Sequence, residues 1–536
     1  MESYNRRDAS CPDVIDLEAY QKVKQNTEIR SKSVEVSSTD ESSADELKSP
    51  YTVLSEREKR FLIAVVSTVN FLGPVTATIY YPALGPLARE LSVSESHINL
   101  TITFYLIILG IVPLLTAGFS DQNGRRLILI GCLVAFACVN IALALQASFP
   151  VLVSLRCLQS FSTSNIAVVA AAAVADVITR AERGKYLAYI TLGPNIGSAV
   201  GPIVGGVLTK FLGWRSIFWL LAIFAALLAI LVICFLRETC RALVGNGSIP
   251  PAPYNRSLFA IIRPRTAHTP EKVEETTLTT FKRRPSVLDA LKILFNLESC
   301  FIILYNTALY CGFTAITSSI PALYERTYGF NSLEIGLAYL PYVLGSTFSR
   351  WTVGNLADWN FARHAHTAGI TIQKNHQCAE QLARIPLEQA RLQLALPLAY
   401  LSTVLLAAYG WVIQREVHIA APLSLLFLMG NTMTGTSNTL NLLNIDINAQ
   451  RPATATAAMN FLRFTCGAGV AAAALPLEGA IGFGWMATLI SGIWWYYSFS
   501  GVHLQSQSNH GLWRYFTLRM MLHYSLMLLQ CHNATM

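Results

Sequence analysis

The residues of this chain that are best suited to chemistry are charged and polar side chains inside long apolar segments. Arg156 lies about a third of the way along the apolar segment 150–172, where an arginine costs ~2.5 to 3.5 kcal/mol on bilayer-insertion scales. Gln159, Ser160 and Thr163 follow at helical spacing and share one helix face with Arg156. We expect this face to line a water-filled cavity. The alternative is an arginine that extends to the membrane interface or donates to neighbouring carbonyl groups.

The signatures of common enzymes are absent from the sequence. It contains no GxxxxGK[ST] motif for an ATP-driven pump, no HExxH zinc motif and no nucleophile elbow. The 11 cysteines are scattered, and none stands in a CxxC or Cys/His metal-ligand spacing. We therefore expect a protein that is not an enzyme and that holds no cofactor or metal.

Two segments repeat an acidic and a basic residue at the same spacing. Asp121 precedes Arg126 by five residues, and Asp358 precedes Arg363 by five residues. Each aspartate follows the second apolar segment of its half of the chain, which indicates a duplicated unit of six helices. We expect each carboxylate to pair with a guanidinium, such as that of Arg125, or with a helix N-terminus and so to act as a gating latch. A purely structural charge pair is the alternative.

Composition and periodicity indicate a membrane protein. Of the 536 residues, 53% are hydrophobic and 13% are charged, and this charged share is about half that of an ordinary soluble domain. Apolar runs of about 20 residues are long enough to cross a bilayer as helices. The runs lie at 61–82, 98–119, 127–148, 150–172, 186–208, 216–236, 299–321, 334–356, 394–413, 419–443, 453–475 and 481–500.

This pattern predicts an all-α polytopic membrane protein with 12 transmembrane helices in two pseudo-symmetric six-helix bundles. In the last segment, Trp513, Leu518 and Leu522 favour an interfacial amphipathic helix, and a mis-predicted reading frame is the alternative. The predicted divisions are 1–58, a disordered cytoplasmic tail; 59–236, the N-terminal bundle; 237–297, a cytoplasmic central loop; 298–500, the C-terminal bundle; and 501–536, a C-terminal tail.

The lysines and arginines of the loops predict the orientation. With the N-terminus inside, most of the loop arginines and lysines fall on the inner side, as Arg57, Arg180 and Lys185 do. We therefore expect both termini to be cytoplasmic. We also expect the chain to be a monomer in the lipid bilayer, in the plasma membrane. These loops also account for the net charge of +8, so no nucleic-acid partner is expected.

Two of these motifs carry a resemblance to a known family. The loop Asp121-Gln-Asn-Gly124-Arg125-Arg126 resembles the signature loop of the major facilitator superfamily. Arg156-x-x-Gln159 resembles the fourth-helix motif of that superfamily. With Asp176, Glu182-Arg183-Gly184 and Ala-Asp358-Trp-Asn, the segment from about 60 to 500 is similar to the fungal drug:proton antiporter-1 family.

A third motif is a glycine stripe in the fifth apolar segment. Gly193, Gly197, Gly201 and Gly205 recur every four residues, so a neighbouring backbone can approach closely along one face of the helix. Pro202 removes an amide donor and bends the helix. The motif Gly197-x-x-x-Gly201-Pro202-x-x-Gly205-Gly206 resembles the one associated with antiporters of the superfamily. A packing interface with no role in the direction of transport is the alternative.

The resemblance implies a secondary active transporter. The implied activity is proton-coupled antiport that exports drugs, xenobiotics or secondary metabolites by alternating access. A facilitator or proton symporter of an organic acid, and a non-transporting membrane sensor, are the alternatives. The gating and coupling residues expected on this basis are Asp121, Gly124, Arg125, Arg126, Arg156, Asp176, Arg183, Asp358, Arg363 and Asp446.

The site that carries the proton is difficult to place, because the apolar segments contain almost no carboxylate. We expect either Asp121 or Asp446 to exchange the proton under the influence of a basic neighbour such as Arg156; otherwise coupling is absent. Arg350 and Arg463 are the other charges inside apolar segments, and we expect them to pair within the C-terminal half.

The resemblance also implies a central cavity faced by the first, fourth, seventh and tenth helices. Tyrosine and asparagine supply hydrogen bonds and aromatic faces without fixed charge, which suits an amphipathic organic molecule. Roles in packing or at the membrane interface are the alternative. The candidate substrate contacts are Asn70, Tyr80, Arg156, Gln159, Tyr305, Asn306, Tyr310 and Asn438.

Overall fold

The computed structural model describes residues 52, 55–116, 124–178, 183–245, 255–258, 292–367, 387–448 and 452–507. Within these ranges the regular structure is helical, and 12 helices have more than 20 residues. They are α1 Glu56–Thr78, α2 Glu95–Thr116, α3 Arg125–Leu145, α4 Phe149–Val177, α5 Arg183–Leu212, α6 Arg215–Phe235, α7 Leu297–Tyr328, α8 Leu340–Thr367, α9 Leu387–Gln414, α10 Ala420–Ile447, α11 Pro452–Ile481 and α12 Phe483–Gln507.

The helices confirm the predicted all-α membrane fold. Each of the 12 predicted apolar runs overlaps one long helix. Among the described residues, eight helices are by themselves long and apolar enough to cross a membrane. In α5 the described residues Ile196–Leu212 form a shorter apolar helix.

Several helices extend beyond the predicted apolar runs. Helix α1 begins at Glu56, because Ser55 and Glu58 form a capping box that makes its first, polar turn helical. Helix α8 continues to Thr367, and α12 continues to Gln507, beyond the predicted limits of their apolar runs. The helix predicted near Trp513 lies outside the described residues.

The pairing of the helices repeats between the two halves. In the N-terminal half, α1 packs on α5, α2 on α4, and α3 on both α4 and α6. In the C-terminal half, α7 packs on α11, α8 on α10, and α9 on both α10 and α12. Each pair of the second half is the first-half pair advanced by six helices, as a duplicated six-helix unit requires.

The two halves meet along a few elements. Helix α2 packs on α11, and the short helix Ser332–Ala338, which precedes α8, packs on α5. We call the side where α1 begins and α12 ends the terminal face, and the side where α1 ends the opposite face. The short helix Leu84–Glu90 and the helix Ser332–Ala338 both lie at the opposite face.

Candidate functional site

Arg156 is enclosed within the N-terminal half. Its guanidinium carbon lies 4.1 Å from the ring centroid of Tyr80 and 4.5 Å from that of Tyr105, so two aromatic faces cover the cation. Arg156 Nη1 donates to Gln159 Oε1 at 2.6 Å, while the buried Nε has no hydrogen-bond partner. The residue is 1% exposed. In this structure the cation therefore contacts protein groups and no open cavity.

The polar face around Arg156 connects three helices and the turn that follows α1. Gln159 Nε2 donates to Asn140 Oδ1 of α3 at 2.7 Å. Ser160 Oγ donates to the carbonyl oxygen of Tyr105 in α2 at 2.6 Å, and Thr101 Oγ1 donates to Tyr80 OH at 3.1 Å. These groups are uncharged, so the positive charge of Arg156 has no carboxylate partner among the described residues.

Arg463 is an isolated cation of the C-terminal half. It lies on α11, with its guanidinium carbon 5.0 Å from the ring centroid of Tyr310 and 4.8 Å from that of Phe464. Its Nε is buried without a hydrogen-bond partner. Neither Arg350 nor Arg463 forms an ion pair with a described residue, so the pairing that we expected within this half is not found there. In the sequence, Arg463 is marked only by being a charged residue within an apolar segment.

At the terminal face of the N-terminal half, a charge cluster fixes the start of α3. Arg125 Nε lies 3.1 Å from Asp176 Oδ2 at the end of α4. Glu238, just after α6, accepts from the backbone N–H of Arg125 at 2.8 Å and of Arg126 at 3.2 Å. A carboxylate at a helix N-terminus is stabilised by the exposed amides and the helix dipole. The cluster therefore ties together the ends of α3, α4 and α6.

At the terminal face of the C-terminal half, the equivalent ion pair joins α9 and α10. Arg391 Nε lies 3.5 Å from Asp446 Oδ2, without hydrogen-bond geometry. In the helix pairing described above, α9 and α10 correspond to α3 and α4, so Arg391 with Asp446 corresponds to Arg125 with Asp176. The two halves thus carry the same kind of ion pair at the same face.

At the opposite face, ion pairs join the two halves directly. Arg89 Nη1 pairs with Glu325 Oε1, and Arg326 Nη2 pairs with Glu95 Oε2. Arg326 Nη1 also lies 4.0 Å from Glu478 Oε1 of its own half. Below these pairs, the rings of Tyr81 and Tyr339 stack across the interface at 5.5 Å. The opposite face is therefore closed in this structure.

The glycine stripe of α5 lies against α1. A Cβ atom at Gly193 would come within 2.3 Å of the backbone oxygen of Ser67, and one at Gly205 within 2.1 Å of that of Ile79. A Cβ atom at Gly206 would instead meet the backbone oxygen of Ser332 in the other half at 2.6 Å. The close approach expected from the spacing is therefore present, and α5 contacts both α1 and the second bundle.

Comparison with known proteins agrees with this architecture. The family model described as Major Facilitator Superfamily matches residues 66–472. The chain belongs to the major facilitator superfamily.

Among its relatives, this major facilitator protein is 39% identical to MFS-type transporter R5 of Phoma sp. over 457 residues, covering 85% of this chain and 86% of that protein. It is 39% identical to MFS-type transporter clz19 of Cochliobolus lunatus over 456 residues, with 85% of each chain covered. Citrate exporter 1 of Aspergillus niger is 29% identical over 457 residues, covering 83% of this chain and 85% of that protein. The crystal structure of the human organic anion transporter MFSD10 (TETRAN) superposes with a TM-score of 0.54 at 18% identity, covering 82% of this chain and 99% of that one.

The structure brings together only some of the predicted latch residues of this major facilitator superfamily protein. Asp121 and the side chain of Arg183 lie outside the described residues. Gly124 is the N-cap residue of α3, with a positive φ of 92°. Asp358 and Arg363 both lie on α8 with exposed side chains and form no ion pair with any residue the structure describes. Arg363 instead lies over the ring of Trp359 at 5.8 Å.

The predicted substrate contacts fall into two groups and three isolated positions. Tyr80, Arg156 and Gln159 are in contact in the N-terminal half. In the C-terminal half, Tyr310 lies beside Arg463, and Asn306 Nδ2 donates to the carbonyl oxygen of Ser437 in α10 at 3.0 Å.

Among the three isolated positions, Tyr305 contacts α12. Its hydroxyl lies 2.6 Å from Ser498 Oγ, and its ring stacks on that of Tyr497, so it packs against α12. Asn70 is half-buried on α1, and Asn438 is exposed on α10. Their roles as substrate contacts stay predictions.

Proposed function

We propose that this chain exports small organic molecules across the plasma membrane by alternating access, in exchange for protons, with the terminal face in the cytoplasm. The observation that carries the proposal is the pair of ion pairs, Arg89 with Glu325 and Arg326 with Glu95, that join the halves at the opposite face. Charge pairs at a partly exposed interface are weak enough to break when the halves tilt. Substrate then leaves from the opposite face.

Three further features support this proposal. The terminal-face pairs, Arg125 with Asp176 and Arg391 with Asp446, hold helices within each half. Each half can therefore tilt as one body. The close contact of α1 with α5 keeps the N-terminal bundle intact in the same way. Relatives named MFS-type transporters cover most of the chain, and one relative is named a citrate exporter.

For proton coupling we propose Asp446 as the exchanging carboxylate. It lies beside Arg391 at the terminal face, with 29% of its side chain exposed, so protons of the cytoplasm reach it. Asp446→Asn is expected to uncouple proton movement from substrate movement. The control is Glu298→Gln, which changes an exposed glutamate near the start of α7, at the same face, that forms no ion pair with a described residue.

The test uses purified protein in vesicles with an imposed pH gradient and a panel of amphipathic organic compounds and organic acids. Substrate-induced proton movement opposite to substrate movement supports exchange. Movement of protons and substrate in the same direction supports the second candidate, an organic-acid symporter, which the relative named citrate exporter favours. Absence of flux for the whole panel contradicts a transport function and leaves the membrane-sensor alternative.

A further inference from the structure

The guanidinium of Arg463 lacks an acceptor. The described residues give it two aromatic neighbours, Tyr310 and Phe464, and neither a hydrogen bond nor an ion pair. A guanidinium carries five N–H donors, and burying a charge without a partner is costly unless something compensates it. A charged side chain whose donors find no acceptor in the protein indicates a position for an anionic ligand.

Arg463 lies where the two halves meet. The next residue, Phe464, packs against α2 of the N-terminal half, since a Cβ atom at Gly110 would lie 3.2 Å from Phe464 Cβ. On its other side α11 packs on α7, which supplies Tyr310. A group held by Arg463 therefore contacts the interface that changes in alternating access.

The interior of the bundle carries uncompensated positive charge. Arg156 and Arg463, one in each half, have no carboxylate partner among the described residues. The described carboxylates that form ion pairs lie near the helix ends. On the terminal face they are Glu56, Glu58, Asp176 and Asp446, and on the opposite face Glu90, Glu95, Glu325 and Glu478. A cleft lined by one sign of charge and low-dielectric walls attracts the opposite charge. This distribution favours anions over cations.

Of the two arginines, Arg463 has the donors available for a ligand. Arg156 is 1% exposed, two aromatic rings lie against its guanidinium, and it already donates to Gln159. Arg463 is only half-buried and donates to no described group. Beside it the rings of Tyr310 and Phe313 lie 5.8 Å apart and those of Phe313 and Tyr342 5.2 Å apart, forming an aromatic surface.

We propose that Arg463 anchors the substrate and that the substrates are organic anions that carry a carboxylate on an apolar or aromatic body. The carboxylate takes a bidentate charge-assisted pair with the guanidinium, and the body packs on the aromatic surface of Tyr310, Phe313 and Tyr342. This inference rests on the proposed transport function and names its substrate class.

The test compares probes that differ in charge and share their shape. Vesicles containing the full-length protein are assayed for flux of radiolabelled benzoate, benzamide and benzylamine, and of citrate. The expected result is carboxylate flux at least about tenfold above that of the neutral and cationic probes, because an arginine–carboxylate pair is made by the anion alone. Comparable flux of benzamide or benzylamine, each measured above the passive flux of protein-free vesicles, overturns the inference while leaving the transport function intact.

Variants then test the residue. Arg463→Gln is expected to lower carboxylate flux about tenfold or more, and Arg463→Lys to retain an intermediate flux, because lysine keeps the charge but not the bidentate geometry. Arg350→Gln, which removes an exposed arginine of α8, is the matched control and is expected to stay within about twofold of the parent. Size-exclusion profiles and vesicle content establish that each variant is folded and inserted.

The outcomes separate the two proposals. Carboxylate flux that survives Arg463→Gln unchanged contradicts the role of Arg463. Absence of flux for all four probes contradicts both the carboxylate class and, for these molecules, the proposed transport.

Discussion

The ion pairs at the opposite face give the most direct test of alternating access. The double variant Glu325→Gln with Arg326→Gln removes both charge pairs that join the halves there, to Arg89 and to Glu95. The side chains of these pairs are between 29% and 65% exposed, so solvent screens them. Pairs of this kind contribute about 0.2 to 1 kcal/mol each. Removing two should shift the equilibrium towards opening by about 0.4 to 2 kcal/mol, which is roughly 2- to 30-fold.

The assay measures access to a residue that the closed interface buries. Ser318 is 1% exposed and lines a small cavity with Glu95 and Glu325. With the 11 native cysteines replaced, Ser318→Cys is labelled by a membrane-impermeant maleimide in intact cells. The double variant is expected to raise the labelling rate by roughly 2- to 30-fold. High salt should raise the parent rate in the same direction, because it screens partly exposed pairs.

Two controls limit the interpretation. Arg415→Gln removes an exposed arginine near the end of α9 that has no described ion pair, and it should leave the labelling rate unchanged. A separate variant that exchanges the charges of one pair, Arg89→Glu with Glu325→Arg, should keep the labelling rate of the parent. A labelling rate in the double variant equal to that of the parent would refute the assignment of these pairs as the closing contacts.

Three further predictions concern packing, coupling and a helix end. Gly205→Ala places a Cβ atom about 2.1 Å from the backbone oxygen of Ile79. It should lower the free energy of unfolding by about 1 to 3 kcal/mol, which is measured as a lower thermal unfolding temperature. In the control Gly131→Ala, nothing lies within 4 Å of the new Cβ atom, and the unfolding temperature should not fall. Arg156→Ala should abolish coupled flux while membrane insertion is retained; unchanged flux in vesicles would contradict its role. Glu238→Gln should destabilise the start of α3 by about 0.3 to 2 kcal/mol, measured as faster hydrogen exchange there, with unchanged exchange as the contrary result.

The helices and their duplication could be predicted from the sequence, because apolar runs of spanning length report directly on the bilayer. The face shared by Arg156 and Gln159 was also predictable, since helical spacing alone brings them together. The aromatic cover of that cation could not be predicted, because Tyr105 comes from another helix.

The charge partners at the terminal face could not be predicted, because they depend on which helix ends meet. Glu238 follows α6, and only the packing of α3 on α6 brings it to the amides of Arg125 and Arg126. The predicted pair Asp358 and Arg363 is not formed among the described residues, because α8 continues as a helix through both positions. Five residues on a helix turn the side chains about 140° apart.

The glycine stripe has a consequence for how the halves separate. Gly205 faces the backbone of α1, whereas its neighbour Gly206 faces Ser332 of the second bundle. In the proposed transport cycle, successive residues of one helix thus serve a lasting contact within the N-terminal half and a contact between the halves that breaks when this face opens. A bulky residue at position 206 would wedge the second contact apart and leave the first intact, so one side chain would favour release at this face without touching a charge or the substrate.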